Sequence, residues 1–133
     1  VTDIQFDKRQ YNSTVAYQQS KQADRMLSYA AAQEYKQDGI SVYACHPGVV
    51  TSNLLQSLGM SKGYESAEQG AQTPVFLATN MNIVKPELTG TYWNSCKQTN
   101  CQFSKQTNDI KELWKLCQNI EQKLETISKD NEL

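Results

Sequence analysis

Small and apolar residues recur at helical spacing early in the chain, where Ala16, Ala23, Leu27 and Ala30 form a narrow stripe. The residues around them are mostly Gln, Met, Leu and Glu, all good helix formers. This pattern predicts a helix over about 14–38, with Ser13 or Thr14 as its N-cap and Gly39 closing its carboxyl end. A stripe so narrow suits a helix pressed closely onto a sheet. Ile40-Ser41-Val42-Tyr43-Ala44-Cys45 then reads as a short strand, which His46-Pro47-Gly48 ends abruptly. Ser66-Ala67-Glu68-Gln69 has the capping-box pattern and opens a helix to about Thr79, with Pro74 inside it to kink it. Leu88 to Trp93, around Gly90, reads as a strand, and Lys97 to Thr107 as polar loop. A last helix is expected over 108–128, where Ile110, Leu113, Cys117, Ile120, Leu124 and Ile127 fall at a/d spacing. The run holds under three heptads, and Trp114 and Leu116 broaden its stripe, so docking on the sheet is expected rather than a zipper.

Helix, glycine, strand and Pro-Gly turn make one αβ unit, and open α/β sheets bind ligands beyond the carboxyl ends of their strands. The helix of this unit carries Tyr17-Gln18-Gln19-Ser20-Lys21. A phenol and an ammonium four residues apart on a helix share a face, one turn apart. A tyrosine hydroxyl normally titrates near pH ~10. A fixed positive charge beside it favours the phenolate and brings the group toward the range useful to a general acid or base. Such a pair can exchange a proton with a carbonyl or alcohol oxygen. The bland alternative is an amphipathic tyrosine beside a solvated lysine, with Lys21 paired to Asp24 at i+3.

The order of these pieces resembles the short-chain dehydrogenase/reductase family. The text from Ala16 to Leu54 is similar to the family's catalytic helix, the strand after it and the loop that closes on the cofactor. The segments beginning at Ser66, Leu88 and Lys111 resemble more narrowly the retinol-dehydrogenase and protochlorophyllide-reductase-like branch. The resemblance runs from about Phe6 to about Gln122. It implies that Tyr17 is the catalytic acid/base and that Lys21 lowers the tyrosine pKa and holds the nicotinamide ribose. Pro47, Gly48 and Val50 are implied as the loop backbone that faces the nicotinamide carboxamide. The family usually has a threonine where this chain has Ser52, with Thr51 one residue earlier. The stretch Asn53 to Tyr64 corresponds to a mobile flap over the substrate, with Leu54, Leu55, Leu58 and Met60 lining an apolar pocket. An ordinary loop with one helical turn is the equal alternative there. The implied cofactor is NADP, with NAD as the alternative, and the implied partner is an apolar small-molecule alcohol or carbonyl.

The glycines at 39, 48, 59, 63, 70 and 90 form neither Gly-x-x-x-Gly-x-Gly nor Gly-x-Gly-x-x-Gly. No glycine-rich turn is therefore offered to a pyrophosphate at a helix N-terminus. The family's substrate-binding serine belongs on a strand before the tyrosine helix. Thr2, Ser13 and Thr14 lie in polar text without that strand. The expected architecture is α/β, the second half of a Rossmann-type doubly wound parallel sheet without its dinucleotide-binding half. One partial domain over 1–133 is expected, active in a complete parent and inactive as an isolated chain. The alternative is a non-catalytic remnant that acts through its last helix and an uncovered sheet edge.

Composition narrows the partners. A net charge of −1 over 133 residues predicts no attraction to nucleic acid or anionic membrane. No apolar stretch approaches the ~20 residues that span a bilayer, so a cytoplasmic location, or the cytoplasmic side of an internal membrane, is expected. Hydrophobic residues are 38 % of the chain, below the usual ~45–50 %, as expected of an incomplete domain, and the uncovered edges of the strand over 40–45 make self-association an expectation. One histidine and four cysteines without a Cys-x-x-Cys pair make no zinc set. Cys45, Cys96, Cys101 and Cys117 are read as free thiols. His46, before Pro47, is expected to pack or hydrogen-bond near the loop rather than to act in catalysis.

Overall fold

The computed structural model describes residues 3–101 and 107–130. Asn12 begins the first helix, α1 (Ser13–Glu34), because its side-chain oxygen accepts from Val15 N at 3.0 Å. The cap therefore lies one residue before Ser13 and two before Thr14, the caps expected from sequence. The regular helix stops at Glu34, short of the expected 38. Tyr35 to Gly39 continue as a loosened turn in which Gly39 N donates to Lys36 O and Ile40 N to Tyr35 O, both at 3.3 Å. These bonds have the spacing of a Schellman closure, and Gly39 supplies its left-handed residue with φ 73°.

The first strand, β1 (Ala44–His46), is shorter and later than the expected 40–45. Val42 N is held by Thr89 Oγ1 at 3.0 Å, and Val42 O accepts from Gly90 N at 2.7 Å. A side-chain bond thus replaces part of the ladder, and residues 40–43 run beside 88–91 without being a strand. A five-residue helix, α2 (Asn53–Ser57), follows the Pro-Gly loop. Next comes α3 (Ala67–Thr79), which starts at the complete Ser66/Gln69 capping box and contains Pro74. A 3-10 turn over Met81–Ile83 leads to β2 (Tyr92–Asn94) and β3 (Lys97–Thr99).

The sheet order is β1-β2-β3. β1 pairs with β2 in parallel, Cys45 opposite Trp93, whereas β2 and β3 form an antiparallel hairpin. A wholly parallel sheet was expected over this region, so the hairpin is a correction to that expectation and to the polar loop begun at Lys97. Its turn, Ser95-Cys96, has positive φ at both residues, 50° and 59°, without the usual Asn or Gly. Thr73 Oγ1 of α3 accepts from Cys96 N at 3.2 Å and holds that turn from outside. The rest of the expected loop, 102–106, lies outside the described residues.

Adjacent residues of a strand point to opposite faces. Tyr92 lies under the Arg25 guanidinium of α1, 5.1 Å from its ring centre. Trp93 packs on Phe76 of α3 at 5.8 Å. Helices therefore cover both faces of the sheet.

The last helix, α4 (Thr107–Asp130), docks on α1 rather than on the sheet. Met26 and Ala30 of α1 meet Ile110 and Leu113, with Ala23, Leu27 and Trp114 packed around them. The narrow stripe expected to face the sheet gives α4 its seat. Only the first half of the a/d stripe is covered. Ile110 and Leu113 are 6 % and 3 % exposed, but Ile120, Leu124 and Ile127 are 41, 61 and 56 % exposed.

Candidate functional site

α1 brings Tyr17 and Lys21 to one wall of an open cleft of about 870 Å³. The turn after β1 forms the opposite wall with Pro47, Gly48, Val50 and Ser52, and α2 adds Leu54, Leu55 and Leu58. The cleft thus gathers all the residues named from sequence as acid/base, cofactor loop and substrate pocket, except Met60.

Lys21 is engaged on its own helix. Its Nζ stands 2.6 Å from Asp24 Oδ2, the i+3 pairing of the bland alternative. The hydrogen bond and charge of Asp24 raise its pKa, slight burial opposes them, and the nearby Tyr17 adds a smaller upward push. Lys21 therefore keeps its positive charge beside Tyr17.

The loop wall is built by close backbone contacts. His46 Nδ1 accepts from Gly48 N at 3.1 Å, so the histidine serves the loop's shape. Gly48 has φ 88°, a conformation that favours glycine. Tyr64 N and Glu65 N both donate to Val49 O, at 2.8 and 3.2 Å, and Thr51 N donates to Glu65 O at 3.0 Å. A side chain at Gly63 would stand 2.0 Å from Val49 O, and one at Gly70 would stand 2.5 Å from Val50 Cγ2. The segment 63–70 clamps the loop, and only glycine admits so close an approach.

The two hydroxyls that sequence left in competition have different surroundings. Thr51 Oγ1 accepts from Gly63 N at 3.0 Å and closes the base of the 52–62 excursion. Ser52 Oγ caps α2 by accepting from Leu55 N at 3.3 Å and lines the cleft. Its hydroxyl proton remains available to a ligand. Leu55 is buried, while Leu54 and Leu58 are 55 % and 48 % exposed at the cleft's lip.

Sequence reading did not identify Asp24, Arg25, Cys45 and Tyr92 as cleft residues, nor Glu65 and Gly63 as its support. Burial pushes the Cys45 thiol up, away from the reactive thiolate. Burial also raises the Tyr92 phenol, against a smaller downward pull from Arg25. The signal for the clamp was two scattered glycines on either side of the capping box. None of the four cysteines is joined in a disulfide among the described residues.

The family profile described as short chain dehydrogenase matches residues 6–63. Human retinol dehydrogenase 12 is 32 % identical over 105 residues, 73 % of this chain and 32 % of that protein. A WW domain-containing oxidoreductase of Drosophila melanogaster is 31 % identical over 122 residues, covering 83 % of this chain and 29 % of its own. The chloroplastic short-chain dehydrogenase TIC 32 A of Brassica napus is 28 % identical over 120 residues, 81 % of this chain and 37 % of its own. The chain spans about a third of the length of the curated relatives it matches. No solved structure matches it. Among the described residues, no helix is long and apolar enough to cross a membrane.

Proposed function

Because the chain belongs to the short-chain dehydrogenase/reductase family, in its retinol-dehydrogenase-like branch, we propose that its cleft is the proton-transfer side of an NADP-dependent alcohol/carbonyl oxidoreductase. The observation that carries this reading is the meeting of Tyr17, Lys21, the Pro47–Ser52 loop and three leucines in one cleft. Tyr17 gives its hydroxyl proton to the substrate oxygen as a carbonyl becomes an alcohol, and takes a proton back in the reverse direction. The Lys21 ammonium stabilises the phenolate left on Tyr17 and offers donors to a ribose. Ser52 and the backbone of Pro47, Gly48 and Val50 orient the carboxamide, and Leu54, Leu55 and Leu58 exclude water around an apolar substrate. When bound, the dinucleotide supplies or accepts the hydride.

The residues present fit the nicotinamide and its ribose. The chain has no glycine-rich turn to hold the pyrophosphate. In this reading the chain is the second half of a Rossmann-type domain, and the other half would continue the sheet beyond β1, which among the described residues pairs with β2 alone. NADP is favoured over NAD by the likeness to the retinol-dehydrogenase branch.

The test is a fusion of this chain behind the part of human retinol dehydrogenase 12 that precedes its matching segment, assayed for NADPH-dependent reduction of a long apolar aldehyde. Tyr17→Phe in that fusion should lower turnover by about 10²–10⁴-fold with little loss of cofactor affinity. Lys21→Ala should damage both. Turnover within about threefold of the parent fusion for Tyr17→Phe would remove the tyrosine from the mechanism.

A second reading is favoured by the bare end of α4. Ile120, Leu124 and Ile127 form an exposed apolar stripe on which a chain inactive by itself would associate with another protein. An inactive fusion together with a stable assembly lost on Leu124→Glu would support it instead.

A further inference from the structure

Glu65 is tied to the Pro-Gly loop by its backbone and turns its side chain toward Gly48. A Cβ built on Gly48 would stand 2.6 Å from the Glu65 carboxyl carbon and 2.7 and 2.9 Å from its two oxygens. Oε2 is shut off from solvent and has no hydrogen-bond partner. The Gly48 N–H cannot satisfy it, because that group donates to His46 Nδ1. The cations that line the cleft are also engaged elsewhere, Lys21 with Asp24 and Arg25 over the Tyr92 ring. A carboxylate with one oxygen shut off from water therefore stands directly behind the glycine of the loop, without an ion-pair partner among the described residues.

We propose that Glu65 is an electrostatic selector of the nicotinamide's redox state. Gly48 has no side chain to hold the carboxylate away from the loop, so a ring laid against the loop feels its charge. The oxidised ring is a cation and the reduced ring is neutral, and the oxidised form is held more tightly. The inference rests on the reading of 47–52 as the nicotinamide loop. It goes beyond that reading by giving a role to a residue outside the cleft lining.

Oxidised and reduced nicotinamide mononucleotide differ in ring charge and lack the adenylate half, so neither needs a glycine-rich turn. Titration of the 133-residue chain with each, followed at the Gly48 and Val50 amides by NMR, measures the selector. The oxidised form should bind at least about threefold more tightly, the effect of one weakly screened charge several ångströms away. Glu65→Gln keeps the shape without the charge and should bring the ratio to about one. Equal affinities in the unmodified chain, or an unchanged ratio in Glu65→Gln, would overturn the selector while leaving the loop assignment intact. If Glu65→Gln does not fold, the unmodified chain still decides. The 1-methylnicotinamide cation must then bind more tightly than neutral nicotinamide, and equal affinity overturns the proposal. No shift at Gly48 or Val50 with any of these probes would remove the nicotinamide loop itself, and the selector with it.

Discussion

Lys21 and Asp24 form an ion pair on the cleft side of α1, with Nζ 2.6 Å from Oδ2, one turn beyond Tyr17. The lysine of the proposed proton-transfer pair is thus anchored by a carboxylate before any ligand arrives. Such an anchor fixes the position of the ammonium at the cost of part of its field. Both side chains are exposed, so the pair does little for stability.

Asp24→Asn should shift the Lys21 titration downward toward the ordinary lysine value, because Asp24 is the main cause of its raised pKa. The sign for stability follows from the same shift. A lysine whose pKa is raised on folding contributes fully below its unfolded value, and loses that contribution as pH climbs through the raised one. The contribution is therefore fully present at neutral pH and is lost only in the alkaline range. Lysine-selective NMR titration of the folded chain reads it directly. An unchanged Lys21 titration in Asp24→Asn would show that the pair does not persist in solution.

Gly63→Ala should destabilise the fold by about 1–3 kcal/mol or more, as overpacking against rigid groups does. Its Cβ would lie 2.0 Å from a backbone oxygen, which cannot swing aside as a flexible side chain can. Gly59 is the control. Unlike Gly63 it has positive φ, 84°, but open space around it, so Gly59→Ala should cost only the backbone strain of about 1–2 kcal/mol. Chemical denaturation of both variants distinguishes crowding from strain. Equal losses would mean that the clamp between Gly63 and Val49 relaxes freely.

Residues near in sequence carried most of what was legible. The Ser66/Gln69 box, Pro74 in the helix it opens, and the glycine that closes the turn after α1 are all set by local bonds. The Tyr17/Lys21 spacing was legible for the same reason, since four residues on a helix fix a shared face. Long-range partners were not legible. Thr89 reaches 47 residues back to Val42 and displaces the strand toward Ala44–His46. Thr73 holds the Ser95-Cys96 turn across 23 residues, which allows a hairpin with neither Asn nor Gly at its two positive-φ positions. Glu65 and Gly63 support the cleft through backbone contacts that no side-chain pattern announces.

The two halves of α4 should respond differently to truncation. Leu113 is 3 % exposed within the α1–α4 contact, and Leu113→Ala should cost about 2–5 kcal/mol. Leu124 is 61 % exposed, and Leu124→Ala should change stability by no more than about 0.5 kcal/mol. Thermal or denaturant unfolding of each variant measures the contrast. A large loss for Leu124→Ala, growing with protein concentration, would instead reveal an assembly that covers the stripe.

A polypeptide of these 133 residues should bind NADPH more weakly than millimolar and show no measurable reductase activity. Much of a dinucleotide's affinity comes from backbone N–H groups of a glycine-rich turn at a helix N-terminus, and this sequence has no such turn. In the proposed function the cleft would offer the nicotinamide end a loop, a lysine and a serine, and the pyrophosphate no glycine-rich turn. β1 is paired on one side among the described residues, and an unpaired strand edge invites other chains. Self-association should therefore accompany the weak binding and strengthen with concentration. Titration calorimetry with NADPH and size-exclusion chromatography across a concentration series test both expectations on one sample. A monodisperse monomer that binds NADPH at micromolar concentration would show that the cleft holds the cofactor without a pyrophosphate cradle, and the division of labour proposed between the two halves of the fold would fall.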